Sequence, residues 1–177
     1  KENDIKPIEP KIRDDEIILG LSGLEVDAKK SYKNMKDDAK FDKEKLIYNS
    51  VLPKTSISKT YDYYIRKGND QKEEVTIIFK ITHDTNVDEI LSLVAKTDVK
   101  INFFVDGSWL EKNVETAFSI VNLDCEIYNL GYDGTYTKSM ISVTNNLIES
   151  VTLKDSNLCL NETKDDDAMK ICKKRKM

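Results

Sequence analysis

From Glu74 onward the chain alternates short apolar runs with amphipathic stretches at a regular spacing. Val75-Thr76-Ile77-Ile78-Phe79-Lys80-Ile81 reads as a buried-type strand. Thr85 or Asn86 then caps a helix whose apolar positions, Val87, Ile90, Leu91 and Val94, follow the helical period. Val99 to Val105 reads as a second strand. Trp109 to Val121 reads as a second helix, with Leu110, Val114, Ala117, Phe118 and Val121 on one face. Cys125 to Tyr128 gives a third strand and Met140 to Val151 a third helix. Asn157 to Leu160 gives a fourth strand, and Asp165 to Lys174 a fourth helix. Strand–helix alternation of this kind predicts an α/β fold of parallel βα units, because the crossover between parallel strands is right-handed and carries a helix. Functional loops in such sheets follow the strand C-termini. Here they are Thr82–Thr85, Asp106–Trp109, Asn129–Tyr136 and Asn161–Lys164.

The part before Glu74 is less regular. Residues 1–15 are polar, contain Pro7 and Pro10, and read as a tail or linker. Residues 16–73 read as a small α+β N-terminal region. Ile17-Ile18-Leu19 is a strand, and Gly20 to Gly23 a turn. Asp27 is placed to cap a helix over Ala28–Lys36. Leu46 to Leu52 is a strand stopped by Pro53. Tyr61, Tyr63, Tyr64 and Ile65 form another before the turn Gly68-Asn69-Asp70. Residues 74–177 form the βα domain.

Composition narrows the function classes. The chain has 177 residues, 34% of them charged, and a net charge of −4. Residues 74–177 carry 12 basic against 17 acidic side chains. The net negative charge disfavours nucleic acid and nucleotide ligands, there is no Gly-rich phosphate loop, and the basic run Lys173 to Lys176 reads as the close of the last helix. No apolar run reaches the ~18 residues of a membrane span. The first residue is Lys1 rather than Met, so the chain reads as a trimmed piece. His83 is the sole histidine, so a zinc site with several His ligands cannot be built. Cys125, Cys159 and Cys172 form no disulfide framework and read as idle thiols, a Cys159–Cys172 bridge being the alternative.

Two segments carry a family resemblance. One is Phe103-Phe104-Val105-Asp106-Gly107-Ser108-Trp109-Leu110-Glu111-Lys112-Asn113. The other is Glu126-Ile127-Tyr128-Asn129-Leu130-Gly131-Tyr132. They resemble the second strand with its helix start, and the third strand with its loop, of the polysaccharide deacetylases with a NodB-homology domain (carbohydrate esterase family 4). The resemblance spans about Val75 to Met177. It implies the first part of a distorted (β/α) barrel and removal of acetyl groups from N-acetylglucosamine polymers such as peptidoglycan or chitin. It further implies a metal held by one Asp and two His, because an amide carbonyl needs a Lewis acid and a nucleophile formed near neutral pH.

The family's site residues do not carry over. Lys80 stands at the base position and Ile81 at the metal-binding Asp position. Leu130 and Gly134 stand at the two loop histidines, and Cys125 at the histidine before Glu126-Ile127. Leu158-Cys159-Leu160-Asn161 replaces an Arg-Pro-Pro-Tyr stretch, and Val114 replaces a Pro. The expectation is therefore a degenerate member without catalytic residues, whose zinc or other divalent-metal site is lost. The resemblance also implies a truncated domain, since the family domain continues for several more βα units.

Residual site candidates remain in the loops. His83, Asp84, Asp106, Trp109, Tyr132 and Asp133 are candidate glycan contacts, with Tyr136 beside them. Each also has a plain structural reading: a solvent loop for His83-Asp84, a turn for Asp106, core packing for Trp109. Asp165-Asp166-Asp167 resembles a metal cluster but opens a helix, where carboxylates favour the dipole. Asn161-Glu162-Thr163 matches a glycosylation acceptor. The leading expectation is a non-catalytic, extracytoplasmic module that binds cell-wall glycan or a cell-wall protein, with no nucleic acid and no membrane span in the chain. A homodimer through an open sheet edge is a further expectation. The alternative is a divergent metal-dependent deacetylase using His83, Asp84, Asp106 and Asp133.

Overall fold

The computed structural model describes residues 2–38, 40–161 and 164–177. The chain divides into two compact units, Lys1–Glu73 and Glu74–Met177.

In the first unit, β1 (Lys11–Arg13) pairs antiparallel with β2 (Glu16–Ile18). β3 (Gly23–Val26) precedes α1 (Ala28–Met35), which Asp27 caps by accepting the Lys30 N–H at 2.9 Å. β4 (Tyr48–Val51) pairs antiparallel with β3, and β5 (Tyr64–Lys67) lies parallel to β2. Two expectations are corrected here. Residues 1–15 are not a free tail: Ile5 and Leu24 exchange backbone hydrogen bonds at 2.7 and 2.8 Å, and Ile8 and Leu21 do so at 2.9 Å. The Gly20–Gly23 segment is the partner of that pairing rather than a turn. Unpaired backbone groups are costly, and the N-terminal residues satisfy them here.

The second unit is a three-stranded parallel sheet with helices. β6 (Ile78–Ile81), β7 (Asn102–Val105) and β8 (Glu126–Asn129) lie in that order. Their register places Phe79, Phe103 and Ile127 in one row and Ile81, Val105 and Asn129 in the last. Alternate residues of a strand share a face. These rows therefore meet α2 (Asp88–Thr97), α3 (Gly107–Lys112), α4 (Val114–Asn122) and α5 (Lys138–Thr152) in one core with Val94, Trp109, Leu110, Ala117, Ile120 and Ile148. A smaller cluster joins Ile141 to Cys172 and Met177 beneath α6 (Asp166–Lys174). Asp165 caps α6 by accepting from the Asp167 and Ala168 N–H groups, so the triple-Asp run is a helix start.

The sequence pattern overextends several elements. β6 begins only at Ile78, and Val75 is 89% exposed, because β7 begins at Asn102 and offers no partner further back. The second helix is two, broken at Asn113. There the side-chain amide donates to the Trp109 carbonyl at 2.8 Å, competing with the backbone ladder. Val114 and Phe118 are 38% and 45% exposed, off the buried stripe. The fourth strand reduces to a single parallel bridge, Asn129 to Cys159. The Ser156 hydroxyl, rather than a strand carbonyl, takes the Asn129 N–H at 3.0 Å. Cys159 and Cys172 are joined in a disulfide, so the idle-thiol reading holds only for buried Cys125.

Candidate functional site

The site is built at the carboxyl ends of β6, β7 and β8, where Ile81, Val105 and Asn129 lie side by side. Asp106 follows β7 directly and is 3% exposed. Its Oδ1 accepts the Ser108 N–H at 2.8 Å, the Ser108 hydroxyl at 2.7 Å and the Asp133 N–H at 3.0 Å. Its Oδ2 accepts the Gly134 N–H at 3.0 Å. Burial alone would raise this carboxyl's pKa. The bonds from Gly134, Ser108 and Asp133 outweigh it, and the group lies below its ordinary value.

Asp106 thus does two jobs. It caps α3 and clasps the loop after β8 onto the end of β7. Gly107 completes the contact by donating to the Gly131 carbonyl at 2.9 Å, which also accepts the Thr144 hydroxyl at 2.8 Å. A side chain on Gly107 would run into Thr144 Oγ1 and Tyr132 Cδ2, so the close approach needs glycine.

Asn129 forms the second anchor. It is fully buried, and its Nδ2 donates to the Ile141 carbonyl at 3.0 Å and to Asn145 Oδ1 at 2.5 Å. Its Oδ1 accepts the Gly131 N–H at 2.7 Å. Neither Asn129 nor Asn145 is among the site candidates that the sequence offers. A polar residue closing an apolar strand was the available signal for Asn129, since buried amides must find partners.

The tyrosines of the loop are also engaged. Tyr132 donates its hydroxyl to Glu111 Oε2 at 2.7 Å, a bond that raises the phenol's pKa. Tyr136 donates to the Leu160 carbonyl, and burial pushes its pKa upward.

The remaining candidates fall in different surroundings. Trp109 is 2% exposed and donates its indole N–H to the Thr85 carbonyl at 3.1 Å, tying the loop after β6 to α3. It presents no open ring face to a sugar. His83 Nε2 lies 2.8 Å from Asp84 Oδ2 in an exposed pair. Among the described residues, no hydrogen bond joins that pair to Asp106 or Asp133. Asp133 itself is exposed and contributes its backbone N–H to the clasp. Of the glycosylation motif, Glu162 and Thr163 lie outside the described residues.

The positions read as metal-binding can be tested against the donor chemistry a divalent ion needs. Ile81 is fully buried, Leu130 is 7% exposed, and Gly134 has no side chain. Aliphatic carbon offers no ligand atom, so these residues do not fit a divalent metal. Among the described residues, no group of three or more His, Cys, Asp or Glu is arranged to hold one. Lys80 is exposed, in the row of Phe104 and Tyr128.

No family model matches the chain. The wild-type BA3943 structure, a CE4 family pseudoenzyme from Bacillus anthracis, is 26% identical over 99% of this chain and 67% of its own, with a TM-score of 0.72. A mutant of that pseudoenzyme superposes with a TM-score of 0.75. The chain is a degenerate polysaccharide-deacetylase-like protein. A second BA3943 mutant, described as having restored enzymatic activity, gives a TM-score of 0.72. The deacetylase-like chain is also 32% identical over 117 residues to the uncharacterized protein YlxY of Bacillus subtilis (strain 168). That match spans 66% of this chain and 37% of YlxY. At the level of fold alone, the family 4 carbohydrate esterase from Streptomyces lividans covers 58% of the chain with a TM-score of 0.52. None of the described helices is long and apolar enough to cross a membrane.

Proposed function

We propose that the deacetylase-like chain is a non-catalytic module of the cell envelope that binds cell-wall glycan or holds a cell-wall protein. The observation that carries this reading is the clasp. Where the resemblance expects a metal to organise the loop after β8, a buried carboxylate, Asp106, holds it by backbone hydrogen bonds. The similar BA3943 chain is described as a pseudoenzyme, which supports the same reading. The second unit then corresponds to the first part of a distorted barrel. Exposed His83, Asp84 and Asp133, with half-buried Tyr132, are the residues through which a glycan would be met. The Cys159–Cys172 disulfide supports an extracytoplasmic setting, because disulfides persist in oxidising compartments. The β6 edge is a surface on which a second copy could pair.

The test combines two measurements on one sample. Titration with N-acetylglucosamine oligomers is expected to show saturable binding without turnover, with or without added zinc, cobalt or nickel. Turnover that a chelator abolishes would establish the divergent deacetylase instead. Absence of both turnover and glycan binding would leave the protein-holding role, which light scattering with envelope proteins addresses.

A further inference from the structure

A polar cleft of ≈ 540 Å³ lies away from the clasp, between the first turn of α5, the last turn of α6 and the segment at 155–156. Among the described residues, its charged lining is Lys138, Lys174 and Arg175 against Asp155. Buried Asn145 and Ser156 form its polar floor.

Helix energetics explain only part of this cluster. Lys174 and Arg175 close α6, where cations complement the carbonyl end of the helix. Lys138 does the opposite: it stands in the first turn of α5, next to the positive end of the helix. No acidic residue occupies that turn, and Lys138 is brought to the same cleft as the α6 cations. Among the described residues, neither Lys138 nor Lys174 forms an ion pair. Arg175 is oriented by donating to Ser142 Oγ.

The floor adds an independent sign. The amide of Asn145 is 7% exposed. Its oxygen is used by Asn129, but among the described residues its Nδ2 has only the Met177 thioether sulfur, at 3.7 Å. A thioether is a weak acceptor, so this buried donor keeps unspent capacity. Ser156, by contrast, is already satisfied by Asn129 and Leu158. The disulfide to Cys172, two residues before Lys174, fixes the helix that brings the cations over this floor.

We propose that this cleft binds a phosphoryl group carried on a sugar-sized body. Two ammonium groups and a guanidinium supply the charge complement of a phosphate, and the Asn145 amide supplies a directed donor. The volume exceeds what a bare anion fills, leaving room for the attached body. The proposal does not rest on the glycan role above, since it uses none of the same residues.

The experiment is an NMR amide titration of the full chain with inorganic phosphate, N-acetylglucosamine 6-phosphate, uncharged N-acetylglucosamine, and sodium chloride at matched ionic strength. The expected result is saturable shifts at Lys138, Asn145, Ser156 and Lys174 with the phosphoryl ligands alone. Tighter binding of the sugar phosphate than of inorganic phosphate is expected, and equal affinity would overturn the part of the proposal that assigns room to an attached body. The double variant Lys138→Gln, Lys174→Gln changes only exposed side chains and should weaken binding by about tenfold or more. Three results would overturn the proposal: no saturable shifts, the same shifts with sodium chloride, or binding by the double variant within about twofold of the parent.

Discussion

Asp106 Oδ2 accepts the Gly134 N–H at 3.0 Å, across 28 residues of chain. That bond and the one from Asp133 join the end of β7 to the loop after β8. The Asp133–Gly134 end of that loop is therefore held by one ionised carboxylate, while Asn129 holds Gly131.

Asp106→Asn tests this dependence. Asparagine keeps the shape but removes the charge and replaces one acceptor with a donor facing an N–H. The expected cost is about 3 kcal/mol, the scale of hydrogen bonds to a charged group. It is read as a lower urea midpoint with unchanged slope. The pH dependence has a defined sign. The carboxyl's folded pKa lies below its ordinary value of 3.8, so its contribution is present above that value and lost as pH falls through the lower folded one. Asp106→Asn should flatten the acid limb of the stability curve. An acid limb as steep as the parent's would show that other groups set it.

How much of this was legible follows from the range of each interaction. The Asp27 and Asp165 caps were readable because a cap and its donors lie within three residues. The row of Phe79, Phe103 and Ile127 was readable as apolar residues at strand spacing. The pairing of Ile5 with Leu24 was not, because it is made by backbone groups that leave no side-chain pattern. The partnership of Cys159 with Cys172 was legible only as the alternative to idle thiols, because spacing does not decide connectivity. At the site, the motif match located Asp106 and Tyr132. The hub at Asn129 uses Ile141 and Asn145, which only the folded helix brings near.

Gly107→Ala probes the packing beneath the clasp. The added methyl group meets Thr144 Oγ1 and the Tyr132 ring. Overpacking of this kind costs on the order of 1–3 kcal/mol. Pairing it with Thr144→Ser, which removes a methyl from that neighbour, should recover little, because the hydroxyl itself is in the way. Chemical denaturation of both variants measures it. Full stability in Gly107→Ala would show that the loop can lift away freely.

Cys172→Ser addresses the C-terminal helix. The bridge closes a loop with a sequence separation of 13, for which the chain-entropy scale is about 3 kcal/mol. The variant, like the parent in reductant, should melt earlier and lose protection in the amides of α6. Thiol titration of denatured, unreduced parent should count one thiol, that of Cys125. A count of three would show that the bridge does not form.

The most direct check on the site reading is to rebuild a metal-binding set. Ile81→Asp alone places a carboxylate at a fully buried position, and an unpaired buried charge should destabilise by several kcal/mol. Adding Leu130→His and Gly134→His supplies nitrogen donors in the loop. Gly134 has φ of +69°, where histidine is among the better tolerated residues, and its added Cβ meets nothing within 4 Å. The triple variant should bind zinc stoichiometrically and recover in zinc much of the stability that Ile81→Asp loses, because ligand binding to the folded state alone is stabilising. Metal analysis and thermal melts with and without chelator give the answer. Zinc-independent melting and no bound metal would mean that Ile81, Leu130 and Gly134 do not converge, and the alignment on which the degenerate-site reading stands would fall with it.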